Sequence, residues 1–293
     1  MRSYSSALAL LLFVTLAAPS LASAQTSDFA IGARPAAMGR ASNAVSRGTD
    51  GLFQNPAGIS LQTSTLDVDG AFMYTPLGNN LSAAIVDPTT NPSVAAGFGA
   101  GYSFNSDGTT TALDLRLPLS VPLVAERISF GVAGRYLIVT DENVQVQNGF
   151  TLDAGAMFRI VDQLHLGVVG KNLIPTCSVE ACKGNTPLVL GGGLSYLGRE
   201  FVVAADVEVG DLGTDDPTTI DFEAGAEYTI QGMVPIRAGF RRDGSSASNH
   251  VSVGFGWRSS AAAVSASYEH DLSRNEVGLI SLSISAFIRP AGF

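Results

Sequence analysis

The sequence predicts an all-β protein, a transmembrane antiparallel β-barrel of about fourteen strands with a small N-terminal plug, or hatch, in its lumen. Three observations carry this. Of 293 residues 46% are hydrophobic and only 15% charged, under the roughly 25% of globular chains. Beyond the N-terminus, however, no run of about 18 apolar residues forms a helical span. Instead, apolar and polar residues alternate with period two from Ser60 onward, and the connections between the alternating segments differ in length by parity. Alternation of this kind gives every strand one apolar and one polar face, which a barrel in lipid turns outward and inward respectively. The net charge of −9, with no basic stripe, excludes a nucleic-acid partner.

Taken in order, residues 1–24 read as a secretory signal peptide. Arg2 is its positive start, Ala7 to Ala18 its apolar core, and Ala22-Ser23-Ala24 its small-residue cleavage site. Residues 25–62 share neither the signal pattern nor the strand pattern. They are rich in Gly, Ala and Ser, which permits close backbone approach to another surface, and are assigned to the hatch; 63–293 are assigned to the barrel.

The alternating segments fall at 64–75, 79–86, 93–104, 109–122, 126–140, 149–160, 163–173, 187–197, 199–209, 218–230, 233–242, 248–258, 261–271 and 276–289. The second and third could be one strand kinked at Asp87-Pro88-Thr89-Thr90-Asn91-Pro92. Across the set the aromatic residues, Phe287 excepted, share the aliphatic face. Charges such as Asp114, Arg116, Arg135, Asp153 and Glu269 lie opposite, and Arg242 is an apolar-face charge at a strand end. A soluble β-sandwich would also alternate, so the connections discriminate. After even-numbered segments they are short (Val161-Asp162, Gly198, Gln231-Gly232, Ser259-Ser260). After odd-numbered ones several are longer and polar, as at Asp141 to Asn148, Ile174 to Thr186 and Gly210 to Pro217. Outer-membrane barrels show this parity and an even strand count, whereas Greek-key sandwiches have no reason to. In the Ile174 to Thr186 loop, Cys177 and Cys182 are read as a local disulfide in an oxidising compartment, because no further ligands complete a metal set.

With the strands placed, the N-terminal stretch acquires a family. Gly32-Ala33-Arg34, Met38-Gly39-Arg40-Ala41 and Asp50-Gly51-Leu52-Phe53-Gln54-Asn55-Pro56-Ala57-Gly58 together resemble the N-terminal region of FadL-type outer-membrane transport proteins and their PorV-like relatives. The resemblance implies a hatch carrying Asn55, Pro56, Ala57 and Gly58 within a fourteen-stranded barrel in the outer membrane of a Gram-negative cell. It implies passage of small hydrophobic molecules under control of the plug or, alternatively, a closed structural or secretion-associated barrel that binds a protein partner. In physical terms, Asn55 is a good N-cap and Pro56 suits a first helical position. The inner face of the third segment, with Gly97, Gly99 and Gly101, offers a wall for the plug to lie against.

Two features depart from a lipid carrier. Asp206, Glu208, Asp221, Glu223 and Glu227, facing Arg237 and Arg241, read as a lumen charge ladder and not as a greasy pocket. The outer loops are short for a surface capture site. The terminal Phe293 and Ile284 to Ile288 are the expected contact for the outer-membrane assembly machinery, Pro290-Ala291-Gly292 breaking the final alternation.

No catalytic residue, cofactor or metal is expected, and the chain is read as a non-enzyme. His250-Val251-Ser252 has no evident third orienting residue and reads as lumen lining. His165 and His270 are isolated, and neither Gly97-Phe98-Gly99 nor Gly191-Gly192-Gly193 opens a helix as a dinucleotide loop must. Expected partners are outer-membrane lipid, the assembly machinery and either a hydrophobic small molecule or a protein.

Overall fold

A computed structural model describes residues 32–61, 64–124, 127–176, 186–212 and 217–289. The signal peptide, both cysteines and residues 290–293 lie outside the described residues. Fourteen strands follow one another: β1 (Leu66–Thr75), β2 (Gly78–Asp87), β3 (Ala95–Asn105), β4 (Thr110–Leu123), β5 (Ile128–Asp141), β6 (Val144–Arg159), β7 (Leu164–Lys171), β8 (Leu188–Leu197), β9 (Phe201–Leu212), β10 (Thr219–Ile230), β11 (Val234–Asp243), β12 (Ser248–Arg258), β13 (Ala262–Asp271) and β14 (Glu276–Ile288). Each pairs antiparallel with its neighbours in sequence, and β14 pairs with β1, as at Phe72 opposite Leu282, so the sheet closes and has no free edge.

Burial is inverted relative to a soluble protein. Phe255 is 66% and Trp257 47% exposed, while Asp114 is 1% and Arg135 2% exposed. A continuous apolar exterior around a polar interior is stable only where lipid covers the outside. Phe287 faces inward, opposite Asp67, as its parity requires.

One local expectation changes, and one open alternative is decided. The stretch Asp141 to Asn148, expected as a long outer loop, is a two-residue turn at Glu142 and Asn143, both in the left-handed region (φ 45° and 67°), with β6 starting at Val144. The polar Gln145 and Gln147 gave it the look of a loop, but Gln147 points inward and is 3% exposed, and a lumen accepts polar side chains along a strand. The Pro88 to Pro92 stretch is a true turn between two paired strands. The Asp87 carboxylate holds it by accepting the Thr89 hydroxyl at 2.7 Å and the Thr90 hydroxyl at 2.5 Å. At seven residues, 88–94 is an exception to the length parity of the connections.

Candidate functional site

Residues 32–61 lie inside the barrel and run around its wall. Helix α1 (Ala33–Ala37) packs on β11 to β14, helix α2 (Thr49–Phe53) on β1 to β4, and a 3-10 turn (Pro56–Leu61) on β3 to β6. Small side chains make this possible: Ala33, Ala36, Ala37, Ala41, Ala44 and Ala57 are fully buried. The wall is correspondingly bare. A Cβ added at Gly131 would fall on the Pro56 carbonyl, at Gly155 on the Asn55 amide, at Gly167 on the Asn43 carbonyl, at Gly225 on Met38, at Gly239 on the Gly39 nitrogen and at Gly254 on Ala37. Glycine on these strands lets the segment's backbone touch the wall's backbone.

Of the three glycines singled out on β3, Gly99 lies against Leu52 and Phe53. Gly97 meets Ile85, Val86 and Pro118 of the wall itself, and Gly101 sits between Ser82 and Asp114 in register. The contacts on β5, β6, β7, β10, β11 and β12 were not read from the sequence. Their only signal is an inward-parity glycine in each of those strands.

The Asn55-Pro56-Ala57-Gly58 motif joins the two halves of the segment to the wall. Asn55 Oδ1 accepts the Ala57 N–H at 3.1 Å, capping the 3-10 turn. Its Nδ2 donates to the Asn43 carbonyl at 2.8 Å and to the Val168 carbonyl of β7 at 3.3 Å. The Ala57 carbonyl accepts the Ser120 hydroxyl of β4 at 3.1 Å, and a Cβ at Gly58 would strike the Ser46 carbonyl.

The inward charges are arranged less as a ladder than as three clamps. In the first, Arg34 bridges Asp50 (3.2 Å) and Glu227 (3.1 Å), and Glu227 also pairs with Arg237 at 2.6 Å. In the second, Asp206 accepts the N–H groups of Ser42 (2.5 Å) and Asn43 (2.6 Å), while Glu208 takes the Asn43 amide (3.1 Å) and Lys171 (2.8 Å). In the third, Arg116 and Arg135 both pair with Asp114 at 2.9 Å. Arg116 also donates to the Phe53 carbonyl at 3.0 Å and covers the Phe53 ring.

Among the described residues, Glu227–Arg237 is the rung that joins the two expected rows by an ion pair. Arg241 stands opposite Glu223 in register, but its guanidinium reaches Asp243 (3.0 Å) and Glu269 (3.6 Å), and Asp221 accepts the Gly244 N–H at 2.7 Å. A long flexible cation reaches its same-face and diagonal neighbours as easily as the residue directly opposite.

His250 does find a third residue, though with a different serine. Ser248 Oγ lies 2.7 Å from Nε2, and Glu269 3.1 Å from Nδ1. Ser248 is 3% exposed and also bonded to Ser246. Ser252 instead donates to the Ala37 carbonyl and accepts the Gly39 N–H. His165 Nε2 lies 3.4 Å from the Asp162 carbonyl, and His270 lies by Tyr268 and Asn275.

No family model and no curated protein matches the sequence. Solved structures do. The monoaromatic hydrocarbon channel CymD aligns over 89% of this chain and 98% of its own with TM-score 0.65 and 18% identity. The Ralstonia pickettii toluene transporter TbuX aligns over 88% and 98%, with TM-score 0.65 and 12% identity. A Pseudomonas aeruginosa FadL homologue aligns over 89% and 99%, with TM-score 0.61 and 11% identity. At these identities the likeness is one of fold: the chain is built as the fourteen-stranded barrel of the FadL-type outer-membrane channels.

Proposed function

We propose that this protein is an outer-membrane channel for small molecules, in which the segment assigned as a hatch (25–62) is a releasable plug. The observation that carries the reading is the chemistry of the plug–wall contact. The segment is held by ion pairs, by carboxylate-to-backbone hydrogen bonds and by glycine contacts, and its apolar contacts are split among separate clusters around Leu52 and Ile59, Ala36, and Met38. In an aqueous lumen, polar contacts exchange for water at modest net cost, whereas a large apolar core would not. Export by the 1–24 signal, insertion by the assembly machinery and a lipid belt around the apolar exterior belong to the same reading. A hydrophobic cargo draws its support from the names of the structural neighbours, which are hydrocarbon and toluene transporters.

The test is single-channel conductance in planar bilayers for the intact chain and for one lacking residues 32–61. The plug reading expects the deletion to raise conductance, and equal conductance would sink it. A second reading, a closed barrel that binds a protein partner, is favoured by how completely 32–61 lines the wall. It expects no gain on deletion.

A further inference from the structure

Arg242, the charge that interrupts the apolar outer face, stands at the end of a groove on the outside of the barrel. Register sets Leu166, Leu194, Ala205, Ala224 and Phe240 side by side across β7 to β11, all at outward parity. The next outward rung toward the β11–β12 loop is Gly192, Val207, Phe222 and Arg242. Gly192, Ala205 and Ala224 leave a gap between their large neighbours, and a groove of about 520 Å³ results. Small-molecule sites span roughly 300–1,000 Å³. Asp206 and Glu223 border the groove from inward parity, and Asp206 turns its carboxylate to Ser42 and Asn43 in the lumen.

Arg242 is exposed and donates to Asn249 Oδ1 of β12 at 3.2 Å. It meets no carboxylate among the described residues. The inward Arg237 and Arg241 pair with Glu227 and Asp243, and Arg274 of the β13–β14 loop lies 3.8 Å from Asp271. Among the outward positions of β10, β11 and β12, Arg242 is the only charged residue. It is the penultimate residue of β11, beside the loop that the length parity assigns to the outer side. An arginine there reaches the headgroup level, where a phosphate supplies the counter-charge that the protein does not.

We propose that Arg242 and this groove bind a phosphate-bearing lipid of the outer leaflet, with the phosphate on Arg242 and Asn249 and an acyl chain along Phe222 and Phe240. The guanidinium fork matches phosphate oxygens, and with Oδ1 engaged by Arg242, Asn249 Nδ2 is a further donor. A second outer groove, of about 710 Å³ around Phe72, Trp257 and Leu282, has no charged residue in its lining and holds acyl chains without choosing a headgroup. The site lies outside the barrel, so it stands whether or not residues 32–61 leave the lumen.

The test is native mass spectrometry of the full-length protein titrated with three probes. These are dioleoyl phosphatidic acid, dioleoylglycerol (the same chains without phosphate) and inorganic phosphate (no chain). Phosphatidic acid should be retained most tightly, and Arg242→Gln should weaken it about tenfold, the loss of one charge-assisted contact. Ala224→Phe, which fills the groove, should weaken it too, and Gly192→Leu fills the same space if Ala224→Phe does not insert. Arg274→Gln, at an exposed arginine with carboxylate partners, should bind as the unmodified protein does. Dioleoylglycerol held as tightly as phosphatidic acid, or equal losses for Arg242→Gln and Arg274→Gln, would overturn the headgroup contact. Inorganic phosphate bound as tightly as the lipid, or a filled groove that binds normally, would overturn the acyl site. A two-chain species that Ala224→Phe abolishes would give the groove to a second copy and overturn the lipid.

Discussion

Replacing Gly167 by alanine should loosen the N-terminal segment without weakening the barrel. The added methyl would land on the Asn43 carbonyl oxygen, with the Asn43 carbonyl carbon and Ala44 Cα behind it, all backbone atoms that no rotamer change can move aside. The segment must shift bodily. In doing so it strains the Asn55–Asn43 bond (2.8 Å), the two N–H bonds to Asp206 and the Ser195 bond to the Ala44 carbonyl (2.8 Å). Overpacking of this kind costs about 1–3 kcal/mol. If the cost falls on the seated state alone, the ratio of released to seated segment rises roughly 5- to 150-fold. Gly192→Ala is the matched control. Gly192 stands opposite Val168, the residue after Gly167, but a Cβ there meets nothing nearer than 3.8 Å. Open probability in planar bilayers and trypsin cleavage after Arg47 should both rise for Gly167→Ala only, with the heat-induced gel shift of the barrel unchanged in both. Identical behaviour of the two variants would refute the seating argument, and a lower barrel transition for Gly167→Ala would move the cost from the segment to the sheet.

Three further outcomes follow from the same structure. Arg34→Ala and Glu227→Ala, combined in a double-mutant cycle read by the same trypsin assay, should show a coupling of about 0.5–3 kcal/mol. Glu227→Ala should be the more damaging single change, because it leaves both Arg34 and Arg237 without that carboxylate. Val253→Arg, on the outer face at a site 57% exposed, should cost roughly 2–4 kcal/mol in urea unfolding from lipid vesicles if that position lies near the bilayer midplane. No loss there would contradict the assignment of this face to lipid. At the β5–β6 turn, Asn143 has φ 67°, so Asn143→Gly should leave the melting temperature unchanged while Asn143→Val costs about 1–2 kcal/mol.

The strands and their faces were legible in the sequence because alternation is a local property. Phe150, Leu152 and Ala154 against Thr151 and Asp153 state which side is which without reference to any other strand. The β5–β6 turn was misjudged for a related reason: polar residues such as Gln147 signal a loop in a soluble protein but line the inside of this one. The inward charges were also visible, but not their partners.

Local pattern thus determined a closed, lipid-facing barrel and an N-terminal stretch able to approach a wall closely. Which wall it meets is a long-range matter. Arg34 reaches Glu227 across 193 residues of sequence, and Asp206 takes the backbone of Ser42 and Asn43 across 164 and 163. Nothing in a carboxylate's own neighbourhood says whether it will meet an arginine on the next strand or an amide from the far end of the chain. The same holds for the glycines: Gly167 and Gly193 share the inward parity and stand opposite each other, yet a Cβ at Gly167 would meet Asn43 of the segment and one at Gly193 would meet Asp206 of the wall. The tertiary structure decided this because closing the barrel fixes fourteen inner faces around one small volume, and the segment inside must satisfy its backbone against whichever faces it meets.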